Sequence, residues 1–380
     1  MQVRSSVATV SALMVLGLLG APGCKKGDPA GADAGAAASA SAASSATPAA
    51  KAKEPSFEEK LAASKPLDPK PAPQDGGGLK LTAEKCELEG GPLVAKSGSD
   101  VMRSIRVIGD KAYLADSDEK IRAYNIAPSG ACKLTIDKTF GENGVMKLAD
   151  KASRLSGDAA GHLFASSGVF GSTRLTGGKV DFKCEARPQG YLFVHPGGKL
   201  GIGTFANSTV GKLSFDDKGC KSEPWVFQDL SQADKRKGPL TNAQAVGFVG
   251  DTILVGGVLA KEVDPNEPRV VLALDAAGKE KFRFGNIDKT FTEDHFGWVH
   301  AIAPCKPGIC VLDSNYRRVT FWKTDGKYVG FVKLDKLFGL DYPWINELSA
   351  GKGGATYFVT GQERQKTGVS EGTIFKVTGL

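Results

Sequence analysis

Hydrophobic positions from Leu79 onward come in short runs broken by Gly, Asp, Asn and Pro, and apolar stripes at helical spacing are nearly absent. Runs this short, rich in β-branched and aromatic residues and bounded by turn formers, read as strands. The clearest case lies between Cys310 and Tyr328. Val311 and Leu312 begin an apolar run, and Asp313-Ser314-Asn315 ends it with turn-forming side chains. Arg318-Val319-Thr320-Phe321-Trp322 is rich in β-formers, Asp325-Gly326 is a hairpin signal, and Tyr328 to Val332 is the next strand. The same order of features recurs from Tyr113 to Asn125.

The repeat extends beyond these two copies. Aligning the second strand of each unit gives six anchors: Ala112–Ala115, His162–Ser166, Leu200–Thr204, Thr252–Gly256, Ile309–Asp313 and Ala355–Val359. Each is followed by a further strand, at Ile121–Tyr124, Ser172–Leu175, Val210–Phe215, Val270–Leu274, Val319–Trp322 and Thr373–Val377. The anchors fall roughly 40 to 55 residues apart, the spacing of propeller blades. The last unit stops after its third strand, whereas Leu79 to Leu88 is a strand without a unit of its own. Leu79, Leu81, Cys86 and Leu88 alternate with polar residues there, as in a half-buried edge strand. This segment is expected to complete the final blade and close the ring, which protects edges that would otherwise template aggregation. The expected fold is therefore all-β, a β-propeller of six four-stranded blades. A seven-bladed ring, with one blade unrecognised in the pattern, is the alternative.

The Cys310–Tyr328 unit resembles the NHL repeat, V-x-D-S-x-N-x-R-V-x-x-F-x-x-D-G-K, which forms one propeller blade. The resemblance is good over the first and fifth units and degenerate elsewhere. It implies the propeller fold more than an activity, because NHL propellers are mostly binding scaffolds and some relatives are enzymes.

The residues before the repeats set the address. Val7 to Leu19 is apolar but shorter than the roughly 20 residues of a membrane-spanning helix, so it reads as the core of a secretory signal. The following Gly20-Ala21-Pro22-Gly23-Cys24 resembles a bacterial lipobox, although Pro22 departs from the commoner small or hydroxyl residue. That resemblance implies removal of residues 1–23 and a lipid on Cys24. Lys25 in place of Asp after Cys24 implies the outer membrane. Residues 24–78, rich in Ala, Ser, Pro and Lys, read as a disordered tether whose seven lysines balance seven acidic residues. Phe57, Leu61 and Leu67 are too few for a core, but a brief helix over Ser56–Ala63 fits, with Ser56 as its cap. The domain expected to fold is then 79–380, with the membrane as a partner through the lipid.

Composition changes this picture little. The net charge of +7 over 380 residues is mild, and no dense Lys/Arg run interleaved with aromatics marks a nucleic-acid surface. The 48 glycines suit a fold with many tight turns. Setting Cys24 aside leaves six cysteines, an even number that in an exported chain favours disulfides. No Cys-x-x-Cys pair points to zinc. Cys305 and Cys310 flank the Lys306–Ile309 turn and are expected to bond to each other. Cys86, Cys132, Cys184 and Cys220 are placed at or near the starts of outermost strands, with three connectivities open.

Candidate chemistry is sparse. There is no nucleophile elbow, His-Glu-x-x-His, phosphate loop or dinucleotide fingerprint. The glycines of Gly198–Gly203 read as close packing near the propeller axis. Glu293 to His300 holds two acids and two imidazoles, His295 and His300, but no third ligand can be named. A calcium on the axis would need oxygens from Asn242, Glu293, Asp294, Asn346 or Glu347. Asp313 and Asn315 more simply cap backbone groups in the repeat's own turn. Trp298 and Trp344 stand at equivalent places, where the chain enters the fifth and sixth blades. With His300, Tyr342 and Asn346 they form a candidate binding mouth, unless the tryptophans wedge between blades. The reading favoured is a binding or scaffolding module for protein, peptide or glycan, with no cofactor. The alternative is a metal-dependent enzyme of the lactonase or lyase class.

Overall fold

A computed structural model describes residues 54–97, 101–149, 152–167, 171–185, 190–204, 210–223, 225, 240–259, 269–285 and 292–380. Cys24 and the apolar segment before it lie outside the described residues. Glu54–Leu380 is one compact unit.

The unit opens with α1 (Phe57–Ala63) and three short strands, β1 (Gln74–Gly76), β2 (Leu79–Lys85) and β3 (Glu87–Leu88), followed by β4 (Leu93–Lys96). Blade 1 consists of β5 (Met102–Ile108), β6 (Lys111–Asp116), β7 (Lys120–Ile126) and β8 (Lys133–Ile136), with β9 (Val145–Lys147) also paired to β7. Blade 2 is β10 (Arg154–Gly157), β11 (Leu163–Ser166), β12 (Ser172–Thr176) and β13 (Lys179–Cys184). Blade 3 is β14 (Tyr191–Val194), β15 (Leu200–Thr204), β16 (Val210–Phe215) and β17 (Cys220–Glu223). Blade 4 is β18 (Leu240–Val249), β19 (Thr252–Leu259), β20 (Arg269–Leu274) and β21 (Glu280–Phe284). Blade 5 is β22 (Val299–Cys305), β23 (Gly308–Asp313), β24 (Arg318–Trp322) and β25 (Tyr328–Lys333). After α2 (Leu334–Phe338), blade 6 is β26 (Trp344–Ala350), β27 (Thr356–Glu363) and β28 (Val369–Thr378). All six expected second strands and all six third strands are present, and the fold is a six-bladed β-propeller of four-stranded blades.

Blade 6 takes its fourth strand from the other end of the chain. β2 runs antiparallel to β28, with Thr82 opposite Thr378 and Lys85 opposite Phe375. The expectation that Leu79–Leu88 is one strand of this blade needs correction at its end. At Cys86 the chain crosses to the neighbouring blade, and β3 pairs in parallel with β8 of blade 1. Cys86 is bonded to Cys132 at the crossing, so one short segment ties the last blade to the first.

The core has no single centre. Six hydrophobic clusters occupy the six interfaces between neighbouring blades. This follows from strand alternation, because each sheet buries both faces against its neighbours. Leu312, Phe321, Phe358 and Phe375 fill the space between blades 5 and 6. Met102, Leu114, Tyr357 and Ile374 fill the one between blades 6 and 1. Near the axis, serine hydroxyls reach from one blade to the next. Ser349 accepts from the Val107 N–H, Ser104 from Leu155 and Ser156 from Val194. These bonds satisfy backbone donors where no strand partner exists.

The other disulfides join Cys184 to Cys220, across blades 2 and 3, and Cys305 to Cys310 within the first hairpin of blade 5. Cys184 ends its outermost strand rather than starting it. The glycines of Gly198–Gly203 also differ from expectation. Gly201 lies on a second strand, where a side chain would meet Phe215 and Leu192 of its own blade, so the packing there is not axial.

The boundary of the folded unit lies earlier than residue 79. Ser56 caps α1 with a reciprocal Ser56/Glu59 capping box, as its sequence suggests. Beyond it, residues 64–76 form a strap along blade 6. The Leu67 N–H donates to Glu371, and the Ser64 hydroxyl accepts from Arg364. The Ala72 N–H donates to the Leu337 carbonyl, and β1 pairs with β2. Gly339 has φ 64° and ends α2; a side chain there would strike the Lys70 carbonyl of the strap. Only glycine serves both demands. Composition hid this segment because its anchors are scattered hydrogen bonds and a single packed leucine, Leu67, rather than an apolar stripe.

Candidate functional site

The repeat motif builds loops rather than chemistry. Asp313 accepts from the Gly297 and Trp298 N–H groups at 3.1 and 3.0 Å and pairs with the fully buried Arg318 at 3.2 Å. In blade 1 Asp116 takes the equivalent part, holding Arg122 at 2.6 Å and accepting from the Lys120 N–H. These carboxylates fix the lead-in loops and turns, as expected of Asp313.

The five residues of the candidate mouth do not meet in one place. The innermost strands of blades 1, 5 and 6 each carry a bulge, placing Arg103, His300 and Asn346 at matching positions. A bulge re-aims side chains and bends the strand. The Asn346 amide is turned inward, donating to the Met102 carbonyl at 2.6 Å. His300 is partly buried, and burial together with the neighbouring Arg154 holds its imidazole neutral, with a pKa of about 3. Trp298 is half-buried under the Arg269 guanidinium, 4.2 Å from its ring. Trp344, equivalent to Trp298 by strand position, is instead 48% exposed, and Tyr342 is 72% exposed. The loop carrying this pair is pinned by buried Leu340 and Pro343. Tyr342 stacks on Arg317 at 4.4 Å, and its N–H donates to Gln362.

Tyr342 and Trp344 line a groove of about 860 Å³. Its other wall is the strap, through Lys65, Pro66, Leu67 and Asp68; Gln362, Glu363 and Lys366 of blade 6 complete it. Sequence reasoning found the aromatics but missed this wall, which the tether reading had assigned to solvent.

The axis holds a second polar assembly. Arg154 of blade 2 is ion-paired with Glu347 of blade 6, and both are buried. The Arg154 guanidinium also lies 5.1 and 5.4 Å from the rings of Tyr191 and Phe193. Burial pushes the Glu347 carboxyl above its usual range, against the pull of Arg154. Arg154 and Arg106 were not anticipated. The usable signal was an arginine inside or beside an otherwise small, buried strand such as Arg154-Leu155-Ser156-Gly157. The downstream halves of all six innermost strands line an axial cavity of about 210 Å³, and Glu347 is part of its wall.

Of the oxygens considered for an axial calcium, those of Glu347 face Arg154, while the Asn346 amide is oriented by its nitrogen, which donates to the Met102 carbonyl. The side chain of Asn242 lies outside the described residues. Among the described residues no group of three His, Cys, Asp or Glu is placed to hold a metal ion.

No protein-family model matches the chain. No curated protein matches it either. Among solved structures, it is similar to the WD40 β-propeller domain of Doa1, at 11% identity and a TM-score of 0.45 over 77% of this chain and 96% of that one. It is also similar to a chain of a nidogen/laminin complex, at 10% identity and a TM-score of 0.42 over 63% of this chain and 82% of that one.

Proposed function

We propose that the protein is an exported, lipid-anchored binding module that presents its propeller at the cell envelope and captures a protein or peptide segment in the Tyr342–Trp344 groove. One observation carries the binding reading. Tyr342 and Trp344, two of three large hydrophobic side chains exposed among the described residues, share one groove with charged and amide side chains. Aromatic anchors surrounded by polar groups are the usual make-up of binding hot spots. The mixed charges of Lys65, Asp68, Glu363 and Lys366 suit a polypeptide, which offers both signs and backbone amides.

Export is supported by three disulfides, which persist in oxidising compartments. The lipid anchor rests on the lipobox resemblance before Cys24, and the outer membrane on Lys25. No helix among the described residues is long and apolar enough to cross a membrane. The NHL kinship rests on the two motif copies, in which the aspartate ending the second strand pairs with an arginine of the third, Arg318 at the motif position in blade 5 and Arg122 two residues beyond it in blade 1.

Two measurements test this. Envelope fractionation of Cys24→Ser is expected to release the protein; unchanged membrane recovery would remove the anchor. Envelope cross-linking with wild type and with Tyr342→Ala/Trp344→Ala compares what each captures. A polypeptide partner lost in the double variant supports the groove. An identical captured set, or a glycan as the bound species, would overturn the assignment.

A further inference from the structure

Arg106 is the axial residue whose chemistry is incomplete. Its side chain lines the axial cavity from blade 1, and its guanidinium makes one hydrogen bond, to the Gly157 carbonyl at 2.8 Å. Its Nε is buried with no partner. The carboxylates nearest in charge are both engaged, Glu347 by Arg154 and Asp158 by His162, and neither reaches ion-pair distance from Arg106. A guanidinium carries five donors, and a partly buried one that lines a cavity with so few of them satisfied is the group there that an anion would join. The nearby Ser156 and Ser349 accept backbone N–H groups of neighbouring blades, and neither is hydrogen-bonded to Arg106.

The rest of the cavity wall describes the ligand's body. It is mostly apolar, formed by Ile105, Phe193, Phe248, Ile302, Leu348 and Pro304, with Ser156, Ser349 and the Arg154-paired Glu347 as its polar parts. A cavity of about 150 Å³ is enough for benzene. The space here is about 210 Å³, room for one ring or short chain plus a charged group. Inorganic phosphate would bring more acceptor oxygens than this wall can satisfy. A carboxylate needs only the planar fork that arginine presents.

We infer that the axial cavity is a binding site for a small organic monocarboxylate with a compact apolar body, anchored by Arg106. The site is separate from the Tyr342–Trp344 groove: no residue lines both.

Benzoate is a suitable probe, titrated into the purified full-length protein by calorimetry, with benzyl alcohol and inorganic phosphate as comparators. One benzoate is expected to bind per chain, with benzyl alcohol and phosphate at least tenfold weaker. Arg106→Gln is expected to weaken benzoate at least tenfold, Arg106→Lys to fall between, and Tyr342→Ala/Trp344→Ala to leave it unchanged. Absence of benzoate binding, equal binding of benzyl alcohol or phosphate, or unchanged affinity in a folded Arg106→Gln would overturn the inference. Should Arg106→Gln fail to fold, the comparison of benzoate with benzyl alcohol on wild type decides.

Discussion

Arg154 and Glu347 are ion-paired across the propeller axis, one on the innermost strand of blade 2 and the other on that of blade 6. Blade 1 stands between them in the ring. The pair therefore links blades that share no sheet and do not follow one another in sequence. Its burial makes it a strong constraint once formed, because either charge alone would be left desolvated.

Removing one partner is accordingly expected to cost more than removing both. Arg154→Met or Glu347→Leu alone should destabilise the domain by about 3 to 5 kcal/mol, the usual cost of an uncompensated buried charge. The double variant should cost clearly less than the sum of the two. Urea melts of the four proteins check this, and additive single effects would contradict it.

His300 should make the domain acid-sensitive. In the unfolded chain its imidazole takes a proton near pH 6.5, whereas in the folded domain it does so only near 3, because it is desolvated and faces Arg154. Between these values the unfolded chain binds a proton that the folded one does not. The stabilisation is complete above pH 6.5 and declines as pH falls toward 3, by about 1.4 kcal/mol per pH unit. His300→Gln should remove this component. The difference between wild-type and variant stabilities should be flat above pH 7 and slope below pH 6. A pH-independent difference in denaturant midpoint would show that the imidazole is not held neutral.

The strap should contribute to stability although its sequence looks like tether. Without residues 54–78, buried Glu371 loses the Leu67 N–H and buried Arg364 loses the Ser64 hydroxyl, while apolar surface of blade 6 under Leu67 is uncovered. Lost hydrogen bonds to buried charged groups cost about 1.5 to 3 kcal/mol each. A chain beginning at Glu54 should melt like one that keeps the preceding 24–53. One beginning at Leu79 should melt at least about 3 °C lower. Equal midpoints for all three would mean that the strap rests on the blade without stabilising it.

The amino-acid sequence by itself determined the strands and their grouping. Period-two alternation and turn residues are local properties, so Ala112–Ala115, Ile309–Asp313 and their four counterparts were legible without any long-range contact. The orphan segment at Leu79 was legible for the same reason. What only the tertiary structure decided is where separate blades meet. Cys86 pairs with Cys132 because the chain crosses from blade 6 to blade 1 at that residue. Trp298 and Trp344 hold equivalent positions in their blades, yet one is covered by Arg269 from blade 4 and the other faces an open groove. The tether's last residues became a wall of that groove through backbone hydrogen bonds, which leave no trace in hydropathy. Arg106 and Arg154 look like ordinary strand-surface residues in the sequence, and Glu347 stands out there only as one candidate oxygen for an axial calcium. Ring closure turns the innermost strands toward a common axis, where a charge must find its partner on another blade or wait for a ligand to supply one.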